Sequence, residues 1–365
     1  KMKQNILFTC AGRRNYLINY FKEALNGNGN IIAVDQDVLA PALVDANIAI
    51  QVPDIYDELY ISKLLEITKE YSVNAIISLN DLELPILSKN KGIFEQVGVK
   101  VIISDEKVID IGFDKFKTFN FLKNLGIKTP KTFVSLESAL KAIHDGELVF
   151  PLVLKPRWGS ASIGIEFPNS IEELKLSYKL QKIKILDTIV SSISKNNIDQ
   201  SILIQEKLNG KEYGLDIVND FEGNYFGTFA REKLSMRSGE TDKAISVIDS
   251  NIEKLGEKLA KALKHIGSMD CDAFLVNGTL YLLELNPRFG GGYPFSHEAG
   301  LNLAAIYIAW LKGEKNENIL KYNNYKEGII FTKCDRLLKV PNPKTNIKPQ
   351  KYKLEVQSIK NEHDI

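Results

Sequence analysis

The 365-residue chain balances 47 Lys and Arg against 46 Asp and Glu, a net charge of +1, and 44% of its residues are hydrophobic. This composition excludes a disordered chain, and the near-zero charge leaves no global basic field for nucleic acid. The cations are unevenly divided, because only seven are arginine: Arg13, Arg14, Arg157, Arg231, Arg237, Arg288 and Arg336. A guanidinium fork grips phosphate or carboxylate through two bonds where lysine offers a point charge, so each arginine is a candidate site residue. The cysteines, Cys10, Cys271 and Cys334, form no metal-type pairing, which argues for a reducing compartment without structural disulfides. No secretory hydrophobic region follows Lys1-Met2-Lys3. The longest apolar run, Leu303 to Leu311, is far below the roughly 20 residues that span a bilayer. A cytoplasmic protein with neither membrane nor nucleic-acid partner is expected.

The first third alternates strand and helix signals. Ile6 to Cys10 is a short apolar run, a turn containing Gly12 follows, and Tyr16, Leu17, Tyr20, Phe21 and Leu25 recur at helical spacing. Further buried strands are expected at Ile31 to Val34, Ala75 to Leu79 and Val99 to Ile103, with Ile61, Leu64, Leu65 and Ile67 marking another helix face. Alternation of this kind predicts an α/β domain with a parallel sheet covered on both faces. Asp35 ends the second strand where a ribose-binding carboxylate would sit in a nicotinamide-dependent oxidoreductase. The first turn, Cys10-Ala11-Gly12-Arg13-Arg14-Asn15, opposes that reading, since it has one glycine where G-x-G-x-x-G needs three. Arg13 and Arg14 could serve an anion at a helix N-terminus or simply be solvated.

Beyond Asp114, Phe116, Phe119, Phe121, Leu122 and Leu125 fit a helix ended by Gly126, and another helix is expected around Leu136 to Ile143. Pro151 to Pro156 is a strand delivering Lys155 to a loop from Arg157 to Gly164, with a second strand at Ile165-Glu166-Phe167. Gly159 and Gly164 let backbone N–H groups approach phosphates, and Lys155 supplies counter-charge. Ser170 to Asn197 is read as a helix with a solvated charged face, and Ser201 to Leu208 as a strand that turns polar toward Glu212. Asp272 and Glu284 lie in two apolar strands joined at Asn277-Gly278, with Asn286 close by. Carboxylate and amide oxygens suit Mg²⁺, and unpaired burial of the acids would cost several kcal/mol. A plain two-residue turn would send the two acids to opposite faces. A shared metal therefore requires a three-residue loop or a bulge of the same parity.

Together, Lys155 before a glycine-containing loop, Gln205-Glu206-Lys207-Leu208 before Glu212, and Asp272, Glu284 and Asn286 ending in Asn286-Pro287-Arg288 resemble the ATP-grasp superfamily. The nearest likeness is to one half of a carbamoyl-phosphate synthase large subunit and to related stand-alone ligases, over about residues 4 to 330. The resemblance implies a pre-ATP-grasp domain at residues 1–112, ATP-grasp subdomains at 113–204 and 205–335, and a tail or small cap at 336–365. It implies an ATP-dependent carboxylate–amine ligase, using ATP and Mg²⁺ or Mn²⁺, that passes through an acyl phosphate. The partners would be a small-molecule carboxylate and amine, and a homodimer is an expected assembly. By the same resemblance Lys115 and Lys155 would touch the phosphates, with Ser160 and Gly164 in the loop that follows Lys155. Glu206, Lys207 and Leu208 would border adenine, and Glu212 would hold ribose. Asp272, Glu284 and Asn286 would bind metal, and Arg288, Arg231 and Arg237 would approach the phosphoryl group or the substrate carboxylate. No histidine is assigned catalysis. A catalytically silent ATP sensor is the alternative, opposed by the complete acid–acid–amide set.

Overall fold

The structure, a computed structural model, describes residues 3–159, 164–186, 198–314, 316–341 and 352–353. The chain first runs β1 (Ile6–Thr9), α1 (Asn15–Leu25), β2 (Ile31–Asp35), α2 (Pro41–Asp45), β3 (Ile48–Gln51), α3 (Tyr60–Glu70), β4 (Ala75–Ser78), α4 (Leu84–Glu95) and β5 (Lys100–Val101). These strands form a parallel sheet in the order β3-β2-β1-β4-β5. Strand residues alternate between its two faces. Ile6 and Phe8 pack with Leu17 and Phe21 of α1, while Leu7, Ile32 and Ile76 pack with Leu64 of α3 and Leu87 of α4. The expected strands and helices are present. Strand β3 was not anticipated, although Ile48-Ala49-Ile50 is short and apolar, because it is separated from β2 only by the five-residue α2.

A connector of α5 (Glu106–Phe113) and α6 (Lys115–Asn124) leads to β6 (Thr132–Phe133), α7 (Leu136–His144), β7 (Leu152–Pro156), α8 (Ile171–Leu186) and β8 (Ile202–Glu206). Asp114 caps α6 by accepting from the backbone N–H groups of Phe116 and Lys117. Three antiparallel strands, β6-β8-β7, cover α7 and α8 through Leu152, Leu154, Ile202 and Ile204. Of the second strand expected after the Lys155 loop, a single antiparallel bridge remains, Leu154 with Glu166. Helix α8 is described as far as Leu186, and residues 187–197 of the helix expected there lie outside the described residues.

The largest sheet comprises β9 (Lys211–Asn219), β10 (Tyr225–Arg237), β11 (Glu240–Val247), β12 (Ser268–Val276), β13 (Thr279–Asn286) and β14 (Ile330–Thr332), in the antiparallel order β13-β12-β9-β10-β11-β14. Helix α9 (Ser250–Leu263) lies beneath it. Its Ile252, Leu259 and Leu263 meet Leu215, Ile217, Met269 and Cys271 from the strands. Helices α10 (Tyr293–Glu298), α11 (Leu303–Leu311) and α12 (Asn316–Ile319) follow, and α11 packs on the first domain beside α1. In the tail, β15 (Tyr352–Lys353) adds in parallel to β3, and the rest of 342–365 lies outside the described residues. No helix among the described residues is long and apolar enough to cross a membrane.

Candidate active site

Register explains why charge accumulates on one face of the large sheet. Across β13, β12, β9 and β10, Glu284 pairs with Asp272, Asp272 with Gly214, and Gly214 with Arg231. One step along, Asn286 pairs with Asp270, and Asp270 with Asp216. Side chains two apart in a strand share a face, so Glu212, Asp216, Arg231, Lys233, Asp270, Asp272, Glu284 and Asn286 all project to one side. The opposite side carries Tyr213, Leu215, Ile217, Met269, Cys271 and Ala273 into the core over α9.

The β12–β13 hairpin achieves this with the bulge. Val276 pairs with Thr279 across a two-residue turn in which Asn277 and Gly278 have φ of 47° and 78°, so the three-residue loop is absent. The register then slips by one, because Asp272 pairs with Glu284 while Ala273 pairs with Leu282, and Leu283 has no opposite number. With that extra residue, Leu282 and Leu285 both reach the core although they are three apart. Glu284 and Asn286 are thereby turned together toward the cleft.

The end of this face nearest Arg288 is a closed lattice of ion pairs. Arg231 Nη1 lies 2.6 Å from Asp216 Oδ2 and its Nη2 lies 3.3 Å from Asp270 Oδ1. Gly214 makes the space, since a Cβ there would stand 2.9 Å from Arg231 Nε. Arg288 Nη1 reaches Asp270 Oδ2 at 3.3 Å, and its Nη2 reaches Asp81, in the loop after β4, at 2.6 Å. Arg231 and Arg288, expected to meet phosphoryl or carboxylate groups, are thus each held between two carboxylates. Arg288 also ties the first domain to the large sheet.

Toward Glu284 the lattice opens and lysines replace arginines. Lys155, brought by β7, lies 3.3 Å from Glu284 Oε1. Lys115 opens α6 and donates from Nζ to the carbonyl of Gly159. Lys233 Nζ lies 2.7 Å from both Asp272 Oδ1 and Glu212 Oε1. Burial disfavours ionisation of Glu284, but Lys155 and Lys115 outweigh it and hold the carboxyl down at about 2. Asp272 moves the other way, pushed up to about 6 by burial, with Lys233 opposing and Asp270 and Glu284 adding to the rise. Burial pulls Lys115 below the usual lysine range, Glu284 opposing and Lys155 adding. Asp81, Gly112, Lys115, Gly159, Glu284 and Asn286 line a small cavity at this point.

Other expected residues are more dispersed. Glu206 ends β8 and accepts from Lys131 N at 3.0 Å, while Lys207 sets its ammonium 5.1 Å from the Phe167 ring. Leu208 is half-buried in the connection to β9. Gly164 accepts a hydrogen bond from Gln181, and Ser160 lies outside the described residues. Arg237 projects from the exposed tip of β10, 2.6 Å from Asp335 and 3.2 Å from Asp242. Arg157 is buried in a two-bond pair with Asp114, 2.7 Å on each arm. Asp35 accepts from Gly12 N at 2.8 Å and so braces the first turn. Lys233 was missed. Its two-residue spacing from Arg231 carries the signal, since residues two apart in a strand share a face.

Asp272, Glu284 and Asn286 present hard oxygen donors from paired strand positions, a set that suits Mg²⁺ or Mn²⁺. Among the described residues, no three of His, Cys, Asp and Glu gather as a metal-binding group, so the amide of Asn286 is needed to complete the set. The donor chemistry and shared face fit a hard divalent ion.

Residues 6–102 match the family model for the PylC-like N-terminal domain, and residues 113–292 match that for the ATP-grasp domain. Among curated relatives, the carbamoyl phosphate synthase large chain of Pseudothermotoga lettingae is 26% identical over 308 residues, covering 76% of this chain and 26% of the relative. The N-terminal section of the Aquifex aeolicus large chain is 24% identical over 325 residues, covering 80% of this chain and 55% of that section. The chain therefore spans about a quarter of the one relative and about half of the other. Among solved structures, the biotin carboxylase β,γ-ATP complex from Campylobacter jejuni has a similar fold, with TM-score 0.68 and 16% identity, covering 86% of this chain and 71% of that one.

Proposed function

We propose, from the premise that this chain belongs to the ATP-grasp family, that it is an ATP-dependent carboxylate–amine ligase acting through an acyl phosphate. The observation that carries this reading is the open end of the charged sheet face. There Lys155, Lys115 and Lys233, from three separate elements, surround the paired acids Asp272 and Glu284. Such a cluster offers positive charge to a triphosphate and oxygen ligands to its metal. Phosphoryl transfer needs positioning and charge neutralisation more than covalent participation by the protein.

In this reading the γ-phosphoryl group of ATP passes to a carboxylate oxygen of the substrate and ADP leaves. The amine then attacks the acyl carbon and expels phosphate. Lys115 and Lys155 bind phosphate oxygens, and Lys155 moves from Glu284 to do so. Glu206, Lys207 and Leu208, at the connection between the two antiparallel sheets, border adenine, and Glu212 accepts from ribose once Lys233 turns to the phosphates. A divalent ion held by Asp272, Glu284 and Asn286 would supply further neutralisation of phosphate charge. Arg288, already fixed by Asp81 and Asp270, orients the acceptor carboxylate.

The test is ADP release over pooled carboxylates and amines, with hydroxylamine added to trap an acyl phosphate as its hydroxamate. Ligase activity predicts ADP release that depends on one carboxylate pool and a hydroxamate from the same pool. Tight Mg-ATP binding with no ADP from any pool would instead favour an ATP-binding sensor.

A further inference from the structure

The turn after β1 carries Arg14, which the cluster above does not use. Its side chain leaves the first domain for the glycine triplet that follows β13. Arg14 Nη1 donates to Tyr16 Oη at 2.7 Å, and a Cβ on Gly291 would stand 3.0 Å from that nitrogen. Tyr16 Oη in turn donates to the Gly290 carbonyl at 3.4 Å. Lys333, just beyond β14, reaches the same place. Its Nζ donates to the Gly291 carbonyl at 3.1 Å and lies 3.3 Å from Glu240 Oε2. On the inner side, a Cβ on Gly292 would stand 2.2 Å from Arg231 Nη2. Bare backbone is therefore all that fits between these cations.

Four cations from four parts of the chain converge here, and their neutralisation is uneven. Arg231 and Arg288 each hold two carboxylates. Lys333 has one, Glu240, whose side chain is 58% exposed and so weakly neutralising. Arg14 hydrogen-bonds a phenol and shares the exposed Glu240 with Lys333 as its acidic neighbour, and the buried Nε of Arg288 has no partner. Burial pulls Lys333 below the usual lysine range, with Arg14 and Arg231 adding to that pull against Glu240. Like charges gathered around the glycine triplet repel one another, and an anion bound beside the exposed Glu240 would relieve that repulsion. The position also suits a substrate group. Along the chain from Glu284 come Asn286, Arg288 and then Gly291, so the place lies beyond the metal donors and on the far side from Lys155.

We propose that Arg14 and Lys333 form a subsite for an anionic group, carboxylate or phosphate, that the substrate carries in addition to its reacting carboxylate or amine. That this anion belongs to a substrate rests on the ligase reading, whereas the existence of the subsite does not. Arg14 supplies a directed fork and Lys333 a mobile point charge, and Gly291 lets the ligand approach the main chain. The substrate class is thereby narrowed to dicarboxylates, phosphorylated carboxylates or amines with an acidic group.

Isothermal titration of the full chain with malonate and, separately, inorganic phosphate, without nucleotide and at fixed ionic strength, tests the subsite. Wild type is expected to bind at least one of the two. Arg14→Ala and Lys333→Ala should each weaken that binding by about tenfold or more, the scale of one charge-assisted hydrogen bond. Arg14→Lys should recover part of it. Preference for malonate assigns the group as carboxylate, and preference for phosphate as phosphate. No binding by wild type, or equal binding by the folded Arg14 and Lys333 variants, overturns the proposal. Should Arg14→Ala melt early, Lys333→Ala and Arg14→Lys carry the test. Anion binding that needs Arg14 in a protein releasing no ADP from any pool would sink the ligase reading and leave the subsite standing. A productive substrate whose KM ignores both residues would do the reverse.

Discussion

The two ends of one sheet face use the same kinds of charge for different ends. Near Arg288 the side chains of Asp216 and Arg231 are 0% and 2% exposed, and fixed guanidinium forks hold their acids in place. Near Lys155 the acids Asp272 and Glu284 keep 30% and 25% exposure and are met by single ammonium groups. Where water is excluded, a rigid fork that satisfies two carboxylates limits the cost of burying charge. Where the cleft opens, a lysine can leave one carboxylate for a phosphate with little geometric penalty. Arginine content alone therefore did not mark the cleft, because the most buried arginines are bound up in holding the protein together.

Several measurements would break or sharpen that contrast. The largest effect belongs to the closed end, where Arg231→Met strands Asp216 and should cost roughly 3–5 kcal/mol in urea unfolding. A loss below about 1 kcal/mol would mean the lattice is not structural. At the open end, Lys155→Ala and Glu284→Ala should each lower ADP release by about 100-fold, the scale of one electrostatic group, while the urea midpoint changes little. Wild-type rates in either variant would remove these residues from the site. A smaller effect lies on the core side of the same sheet, where burial lowers His265 to about 4 and its Nε2 contacts the Ile217 carbonyl at 3.0 Å. Its folded value is depressed, so stability is complete above about pH 6.5 and is lost as the unfolded chain takes up the proton first. Between pH 7.5 and pH 5 this should remove roughly 2 kcal/mol more from wild type than from His265→Gln. Least of all, Arg237→Ala should leave both turnover and the urea midpoint unchanged, since its partners Asp242 and Asp335 lie on the exposed strand tip.

Much of this was legible in the sequence wherever a period carried it. The β1, β2 and β4 strands and helices α1 and α3 followed from unbroken apolar runs and 3.6-residue spacing. The demand that Asp272 and Glu284 share a face followed from strand parity, and it required the irregularity that Leu283 supplies. Pairings between distant strands were not legible. Nothing local to Arg231 reveals that Gly214 lies opposite and makes room for it, and nothing near Arg157 points to Asp114, 43 residues earlier. Lys233 was hidden for another reason, because a lone lysine among 40 has no compositional contrast.

The bulge at Leu283 has a consequence for variation in this hairpin. A register is a matter of residue count, so almost any apolar side chain at position 283 leaves the acids where they are. Deleting that one position would make the pairing regular, with Glu284 still opposite Asp272 and Asn286 still opposite Asp270, whereas closing the bulge at full length would set Leu283 opposite Asp272 and turn Glu284 and Asn286 to the core side. The shared face thus depends on bulge and strand length together: Glu284 meets Asp272 either with the bulge or, one residue shorter, without it.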